Sequence, residues 1–599
     1  MCGICGSLHT DGTSPALDKI TGMMSRLERR GPDDGGHYQD GPVAFGHRRL
    51  AIIDLSARSH QPMLDAELGL AVVFNGTIYN YPQLRQQLQA QGYNFFSSGD
   101  TEVLLKAYHA WGSDCVKHLH GMFAFAIWDQ RKRQLFLARD RMGIKPLYYS
   151  DQGNAFHFAS TIPALLVNEA IDTSVDPIAL HHQFTLHAVV PAPHTILNGV
   201  RKLTPGTTMT IDARGNVQGQ RYWQLSAQRP AQAMDEREWT ESIHDALRTA
   251  VKTRLEIADV PVGVLLSGGL DSSLLVALLA EAGVQDIRSF SIGFEDIADE
   301  KGSEFEYSDQ VADRYGTRHQ KIHIANDQVL TRLPEAVTNM AEPMVGQDAV
   351  AFYLLAEQVA REVKVVQSGQ GADEVFAGYF WYPMMDAAEG SPLEKFRPYY
   401  FDRSHEEYLT MVSAAYGGLD YTGDYVAQRL QEAGADSFID SVLRFDVTTL
   451  IVDDPVKRVD NMTMAWGLEA RVPFLDQKLV ELAAAMPPEY KLGDGGKYVL
   501  KKIARPLLPA AVIDRPKGYF PMPALKYVRG DFLEFMRGIL ESRACVERGL
   551  YQRDYVARLL AQPEAHMTAL RGSKLWHLAL LEYWMQQHVD TKSVVNQGV

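Results

Sequence analysis

Leu265-Leu266-Ser267-Gly268-Gly269-Leu270-Asp271-Ser272-Ser273 joins an apolar stretch that starts at Val262 to another that runs on from Leu274. The first stretch reads as a strand and the second as a helix. Two glycines let the backbone approach an anion closely. Serine hydroxyls and the N–H groups that open a helix can hold a pyrophosphate. Asp271 would repel phosphate by itself, so it points to a bridging Mg²⁺. No Lys follows the glycines, which excludes the Lys-containing phosphate loop. The plainer reading is a tight strand-to-helix turn with an Asp or Ser N-cap.

Outward from this loop, short apolar stretches at 262–266, 289–294 and 363–367 alternate with helical patterns. That alternation predicts a parallel sheet with crossover helices. Ligands of such sheets sit at the carboxyl ends of the strands, and Ser267, Gly293 and Ser368 each fall just past an expected strand end. Beyond about residue 395 the pattern is mostly helical. Upstream, residues 1–215 are β-rich. Strands are expected at 43–53 and 70–74, and hairpins turn at 129–133 and 151–154. Helical stretches at 17–29, 81–91 and 101–111 complete an α+β pattern with antiparallel strands. The expected units are 2–218, a linker at 219–237, a second domain at 238–588 and a polar tail at 589–599.

A chain of 599 residues exceeds what one core holds. The formal charge of −15 argues against general nucleic-acid binding, which needs basic surface. Four cysteines, Cys2, Cys5, Cys115 and Cys545, make no disulfide framework in this length. No charged segment followed by an apolar core opens the chain, and no apolar run reaches membrane-spanning length. A cytoplasmic location without membrane contact is the expectation.

Removal of Met1 would make Cys2 the first residue, a nucleophilic thiol beside an α-amine that can act as its base. A buried small hydrophobe is the alternative for Cys2, and Cys5 reads as core. The segments Arg30-Gly31-Pro32-Asp33, His47 to Asp54, Asn75-Gly76, Gly99-Asp100-Thr101-Glu102 and Ala138-Arg139-Asp140-Arg141 resemble the class II glutamine amidotransferases. The resemblance implies an N-terminal-nucleophile αββα sandwich in which Cys2 attacks the amide of L-glutamine. It implies an oxyanion hole at Asn75 and Gly76. Arg49 would hold the substrate carboxylate and Asp100 the α-amine, with Leu50, Ala51, Ile52 and Ile53 completing the glutamine site. One departure is Thr77, where the family usually carries an acidic residue.

The loop at Ser267, the segment Ser368-Gly369-Gln370-Gly371-Ala372-Asp373-Glu374 and the segment Glu469 to Asp476 resemble asparagine synthetases, which split ATP into AMP and pyrophosphate. The resemblance implies an α/β parallel-sheet ATP-pyrophosphatase domain with a helical C-terminal part, often in a homodimer. Leu265, Ile292, Ser368 and Gly369 would contact adenosine; Ser267, Gly268, Gly269, Asp271 and Ser272 would hold phosphates. Asp271 and Asp373 would ligate Mg²⁺, and Lys517 would stabilise charge as pyrophosphate leaves. A second departure is Gln370, where these enzymes carry Glu; Gln cannot take a proton. Gln370 and Glu374 are therefore candidates for an altered acceptor pocket, and Asp373 or Glu374 for the missing base. Lys457 and Arg458 are weighed as carboxylate partners against a surface role.

Flanking segments such as His187 to Pro193, Asp453 to Met462 and Asp514 to Pro521 look like the N-acetylglutaminylglutamine amidotransferase branch. That branch amidates a small peptide-like carboxylate to an osmoprotectant. Asparagine synthesis from aspartate is the alternative within the same chemistry. A non-catalytic regulatory homologue, suited by Thr77 and Gln370, is the alternative from another class.

Overall fold

The computed structural model describes residues 2–296, 301–346, 348–515 and 528–590. Two six-stranded antiparallel sheets occupy the first third of the chain. The first runs, edge to edge, through Arg201–Lys202, Tyr148–Gln152, Ala155–Ala159, Gly3–His9, Val43–Arg49 and Asp34–Asp40. The second runs through Val217–Arg221, Thr207–Asp212, Gln134–Arg139, Gly121–Asp129, Leu70–Ile78 and Met63–Asp65. Successive strand residues point to opposite faces. Val73 and Ala124 accordingly join Ile4 and Phe45 between the sheets. Their neighbours Phe74 and Phe125 pack outward against Leu84 and Val103 of the helices Tyr81–Ala90 and Asp100–Trp111. Ile20 and Met23 of the helix Leu17–Arg26 cover the other sheet. The result is the αββα sandwich expected from the sequence.

The expected strand at 43–53 ends at Arg49. Beyond it the backbone is drawn off the sheet: Ala51 N–H donates to Asp33 Oδ2 (2.7 Å), and the Arg49 guanidinium gathers the carbonyls of Asp54 (2.5 Å) and Ser56 (3.2 Å).

The second domain is built on a five-stranded parallel sheet ordered Arg318–Ile324, Arg288–Phe294, Val262–Leu265, Val365–Gln367, Glu469–Arg471. Val262–Leu265 lies at the centre, with the next strand in sequence on one side and a later one on the other. That reversal of winding opens a crevice at the carboxyl ends. The helix Leu270–Glu281 has almost no polar face, because it is enclosed on all sides, with Leu274 to Leu278 fully buried. Gly293 corrects the expectation above: it lies inside Arg288–Phe294, which extends because Gly293 pairs with His323 on the neighbouring strand.

Residues 219–221 of the expected linker belong to the strand Val217–Arg221, and the helix Glu236–Glu256 starts within it on an Asp235/Glu238 capping box. Trp223 between them donates to Glu481 (2.7 Å). Of the expected polar tail only 589 and 590 lie in the described residues, and Asp590 pairs with Arg548 (2.6 Å).

The two domains share buried contacts. Asp460, on the helix Lys457–Met464, accepts from Arg30 (2.9 Å) and Lys145 (2.8 Å) of the sandwich. Lys202 likewise reaches Asp453 (2.6 Å) and Glu342 (3.3 Å). Such pairs contribute little net stability but penalise any separation that leaves one charge buried alone.

Candidate active sites

A cavity of about 530 Å³ opens at the crevice of the parallel sheet, within the usual range for small-molecule sites. Leu265, Ser267, Gly269, Asp271, Ser272, Ile292, Ser368 and Gly369 all line it, as do Gln370, Asp373 and Glu374. Gly268 does not: at φ +78° it turns away, and a Cβ there would meet Ser308 N at 2.7 Å. Gly269 caps the helix Leu270–Glu281 without a side-chain hydrogen bond, so the plainer Asp or Ser cap is not what this turn contains. The serines brace the loop instead: Ser272 Oγ lies 3.0 Å from Ser267 Oγ and accepts from Ser267 N–H at 3.1 Å. Gly369 approaches so closely that a Cβ would sit 3.2 Å from that of Asp271.

Lys497, which the sequence reading passed over, enters this cavity. Its Nζ lies 2.6 Å from Asp271 Oδ2 and 2.8 Å from Asp373 Oδ1. Burial alone would lower its pKa, but the two carboxylates raise it, so the ammonium is retained. Lys497 follows Gly495-Gly496 and takes a left-handed backbone, φ +55°. Gly378 makes room: a Cβ there would fall 2.1 Å from Lys497 Cε. The run of glycines before a lysine was the available signal. Two carboxylates converging on one cationic group also fit a divalent ion, since hard oxygen ligands suit Mg²⁺.

A second, smaller cleft lies between the sandwich layers and the parallel sheet. Cys2, Arg49, Leu50, Ile52, Ile53, Gly76 and Asp100 line it, with Thr77 and Glu469. Ala51 does not. Cys2 N–H donates to Asn75 Oδ1 (3.1 Å), while Asn75 Nδ2 is buried with no hydrogen-bond partner among the described residues. A donor left unsatisfied in a buried place costs free energy unless a ligand takes it. Gly76 is required by space, because a Cβ would fall 2.2 Å from Met122 O. Burial pushes the Cys2 thiol above its ordinary range, opposed by the Leu50 backbone and Arg49. Burial also raises Asp100 to about 6, although Ile78 N–H donates to it (3.1 Å). Cys5 is core, as expected, fully buried against Gly46.

The family model described as Asparagine synthase matches residues 242–586, and the one described as Glutamine amidotransferase domain matches residues 1–223. The chain belongs to the asparagine synthase family. Asparagine synthetase [glutamine-hydrolyzing] 1 of Bacillus subtilis (strain 168) is 31% identical, covering 99% of this chain and 98% of its own. Asparagine synthetase [glutamine-hydrolyzing] 3 of the same organism is 30% identical over 98% and 99%. Asparagine synthetase B of Escherichia coli (strain K12) is 28% identical over 87% and 82%. As a member of this asparagine synthase family, the chain is an enzyme of the glutamine-hydrolysing ligase class.

Two further expectations meet the structure of this asparagine synthase family member. Lys517 lies outside the described residues. The surface role weighed for Lys457 and Arg458 is overturned, since both are only 8% exposed. Arg458 is held by Asp348 (2.9 Å) and Asp454, and Lys457 faces Glu342 (3.7 Å). Asp348 lines the larger cavity beside Phe352 and Tyr379, so Arg458 stands directly behind its wall. Among the described residues no helix is long and apolar enough to cross a membrane.

Proposed function

We propose that this chain amidates a carboxylate with nitrogen from glutamine, at the expense of ATP, and that the acceptor is the C-terminal carboxylate of N-acetylglutaminylglutamine. The observation that carries the reading is the pairing of two unlike sites on one chain: a cleft around Cys2 and a phosphate-loop cavity around Asp271 and Lys497.

Once Met1 is removed, Cys2 attacks the glutamine amide, and its own amine takes the thiol proton. Asn75 Nδ2 and Gly76 N–H stabilise the oxyanion. Arg49 holds the substrate carboxylate, and Asp100 pairs with the α-ammonium. Collapse of the tetrahedral adduct breaks the C–N bond as the amine hands its proton to the leaving nitrogen, and water then hydrolyses the glutamyl thioester to glutamate and restores the Cys2 thiol. The ammonia released passes inside the protein to the second site. There Ser267, Gly269 and Ser272 hold the phosphates of ATP, while Leu265, Ile292, Ser368 and Gly369 frame the adenosine. Mg²⁺, held by Asp271 and Asp373, would neutralise phosphate charge. The acceptor carboxylate attacks the α-phosphate to give an acyl adenylate, and Lys497 stabilises the negative charge that develops on pyrophosphate.

Ammonia then displaces AMP. Gln370 cannot accept its proton, and we assign that role to Glu374, which lines the cavity and accepts from Tyr379 O–H at 2.8 Å. A cavity side chain that is amide where asparagine synthetases carry carboxylate supports an acceptor other than aspartate. So do the segments that look like the dipeptide branch, whose amidated product would serve as an osmoprotectant. Aspartate as acceptor is favoured by the relatives' names. AMP and pyrophosphate release separates the two when each acceptor is supplied with ATP, Mg²⁺ and glutamine. Faster release with N-acetylglutaminylglutamine supports the proposal, and faster release with aspartate refutes it.

A further inference from the structure

The cleft at Cys2 presents one guanidinium and two carboxylates, and the two carboxylates come from different domains. Asp100 opens the helix Asp100–Trp111 of the sandwich. Glu469 opens the edge strand Glu469–Arg471 of the parallel sheet. Its Oε1 accepts from Thr77 Oγ1 (3.4 Å), on the strand that also carries Asn75 and Gly76. Both acids are buried, Asp100 6% and Glu469 1% exposed.

Glu469 is also held rigidly. Arg471 Nε donates to the same Oε1 (2.5 Å), while Arg471 Nη1 is anchored on the carbonyls of Arg254 and Ile257, both at 2.7 Å. The pairing keeps Glu469 ionised, and its charge acts into the cleft, raising both Cys2 and Asp100. Asp100 and Glu469 line the same small cleft as Arg49, so an entering ammonium meets two carboxylates while a carboxylate meets a guanidinium. The α-carbon end of an amino acid carries both groups.

We propose that Glu469, supplied by the ATP-site domain, contacts the α-ammonium of glutamine together with Asp100 and so determines selection for an amino-acid amide. This rests on reading the cleft as the glutaminase site. It also ties substrate selection to the nucleotide site, because Arg471 O accepts from Ser368 N–H (2.9 Å).

The test measures ammonia release by the full chain from glutamine and from glutaramate, which has the same amide and carboxylate but no amine. The wild type should prefer glutamine. Glu469→Gln should lower kcat/KM for glutamine about 10- to 100-fold, mainly through KM, the range for losing a charged hydrogen bond. It should leave glutaramate nearly unchanged. Thr77→Val, which spares the Arg471 pair and so guards against misfolding, should shift the same ratio in the same direction by less. Equal losses on both substrates in Glu469→Gln, or no loss on glutamine in either variant, would overturn the proposal. A wild type that releases no ammonia from glutamine would overturn the glutaminase reading beneath it.

Discussion

The Lys497 ammonium lies 2.6 Å from Asp271 Oδ2, bridging 226 positions of sequence to reach the loop that opens the cavity of the parallel sheet. Its second contact, Asp373 Oδ1 at 2.8 Å, ties in the short helix Ala372–Val375 that follows the adjacent strand. Three segments thus share one cationic point. Lys497→Met should cut AMP and pyrophosphate formation about 10²- to 10³-fold, the range for removing a preorganised charge from a transition state. Glutamine hydrolysis should persist. Equal loss of both activities would show a general structural defect instead.

At the other site, Asn75 Nδ2 is a buried donor without a partner among the described residues. Asn75→Ala should lower glutamine-driven synthesis about 10²- to 10³-fold. Cys2→Ala should reduce it to background. In both variants, synthesis driven by free ammonium should stay within about twofold of wild type, because the proposed acyl-adenylate chemistry takes place at the other site.

Asp100 gives a pH dependence with a definite sign. Its folded pKa of about 6 exceeds the ordinary value near 3.9. The folded protein therefore takes up this proton as pH falls through about 6. The group favours the folded state as pH drops toward 3.9 and disfavours it above 6. In the proposed role of Asp100 glutamine binding needs the ionised form, so KM for glutamine should rise as pH falls below about 6. In Asp100→Asn the KM should be high and flat across that window, as steady-state pH profiles would show.

Asp460 holds two cations across the domain boundary, Arg30 and Lys145, with all three side chains at most 6% exposed. Asp460→Asn leaves both charges buried without their counter-ion. The expected cost is about 3–5 kcal/mol, read as a drop in the apparent midpoint of thermal or urea unfolding. An unchanged midpoint would mean that water already screens the pair.

These residues also mark what the sequence could and could not show. The loop at Ser267 is legible because its chemistry is local: glycines, hydroxyls and a helix start lie within ten positions. The cleft segment at Arg49 is legible only through its resemblance to the glutamine amidotransferases, since an arginine taken alone reads as surface charge. The antiparallel and parallel halves are legible because strand periodicity and hairpin turns are local as well. Lys497 and Glu469 are different. Each gains its meaning from a partner far along the chain, 226 positions away for Asp271 and 392 for Thr77. A lone Lys or Glu reads as solvated charge until the fold buries it. Lys457 and Arg458 read as surface charge for the same reason, since their partners Glu342 and Asp348 lie about a hundred positions away. Gly293 was placed past a strand end because strand length depends on the neighbour it pairs with.

The central claim is that nitrogen freed at Cys2 is consumed at the cavity around Asp271 and Lys497 on a peptide carboxylate. Glutamine labelled with ¹⁵N at its amide tests it directly, in one mixture with ATP, Mg²⁺, N-acetylglutaminylglutamine and aspartate, analysed by mass spectrometry. The account predicts ¹⁵N in the C-terminal amide of the dipeptide. Label in asparagine, with the dipeptide left as its free acid, would contradict it.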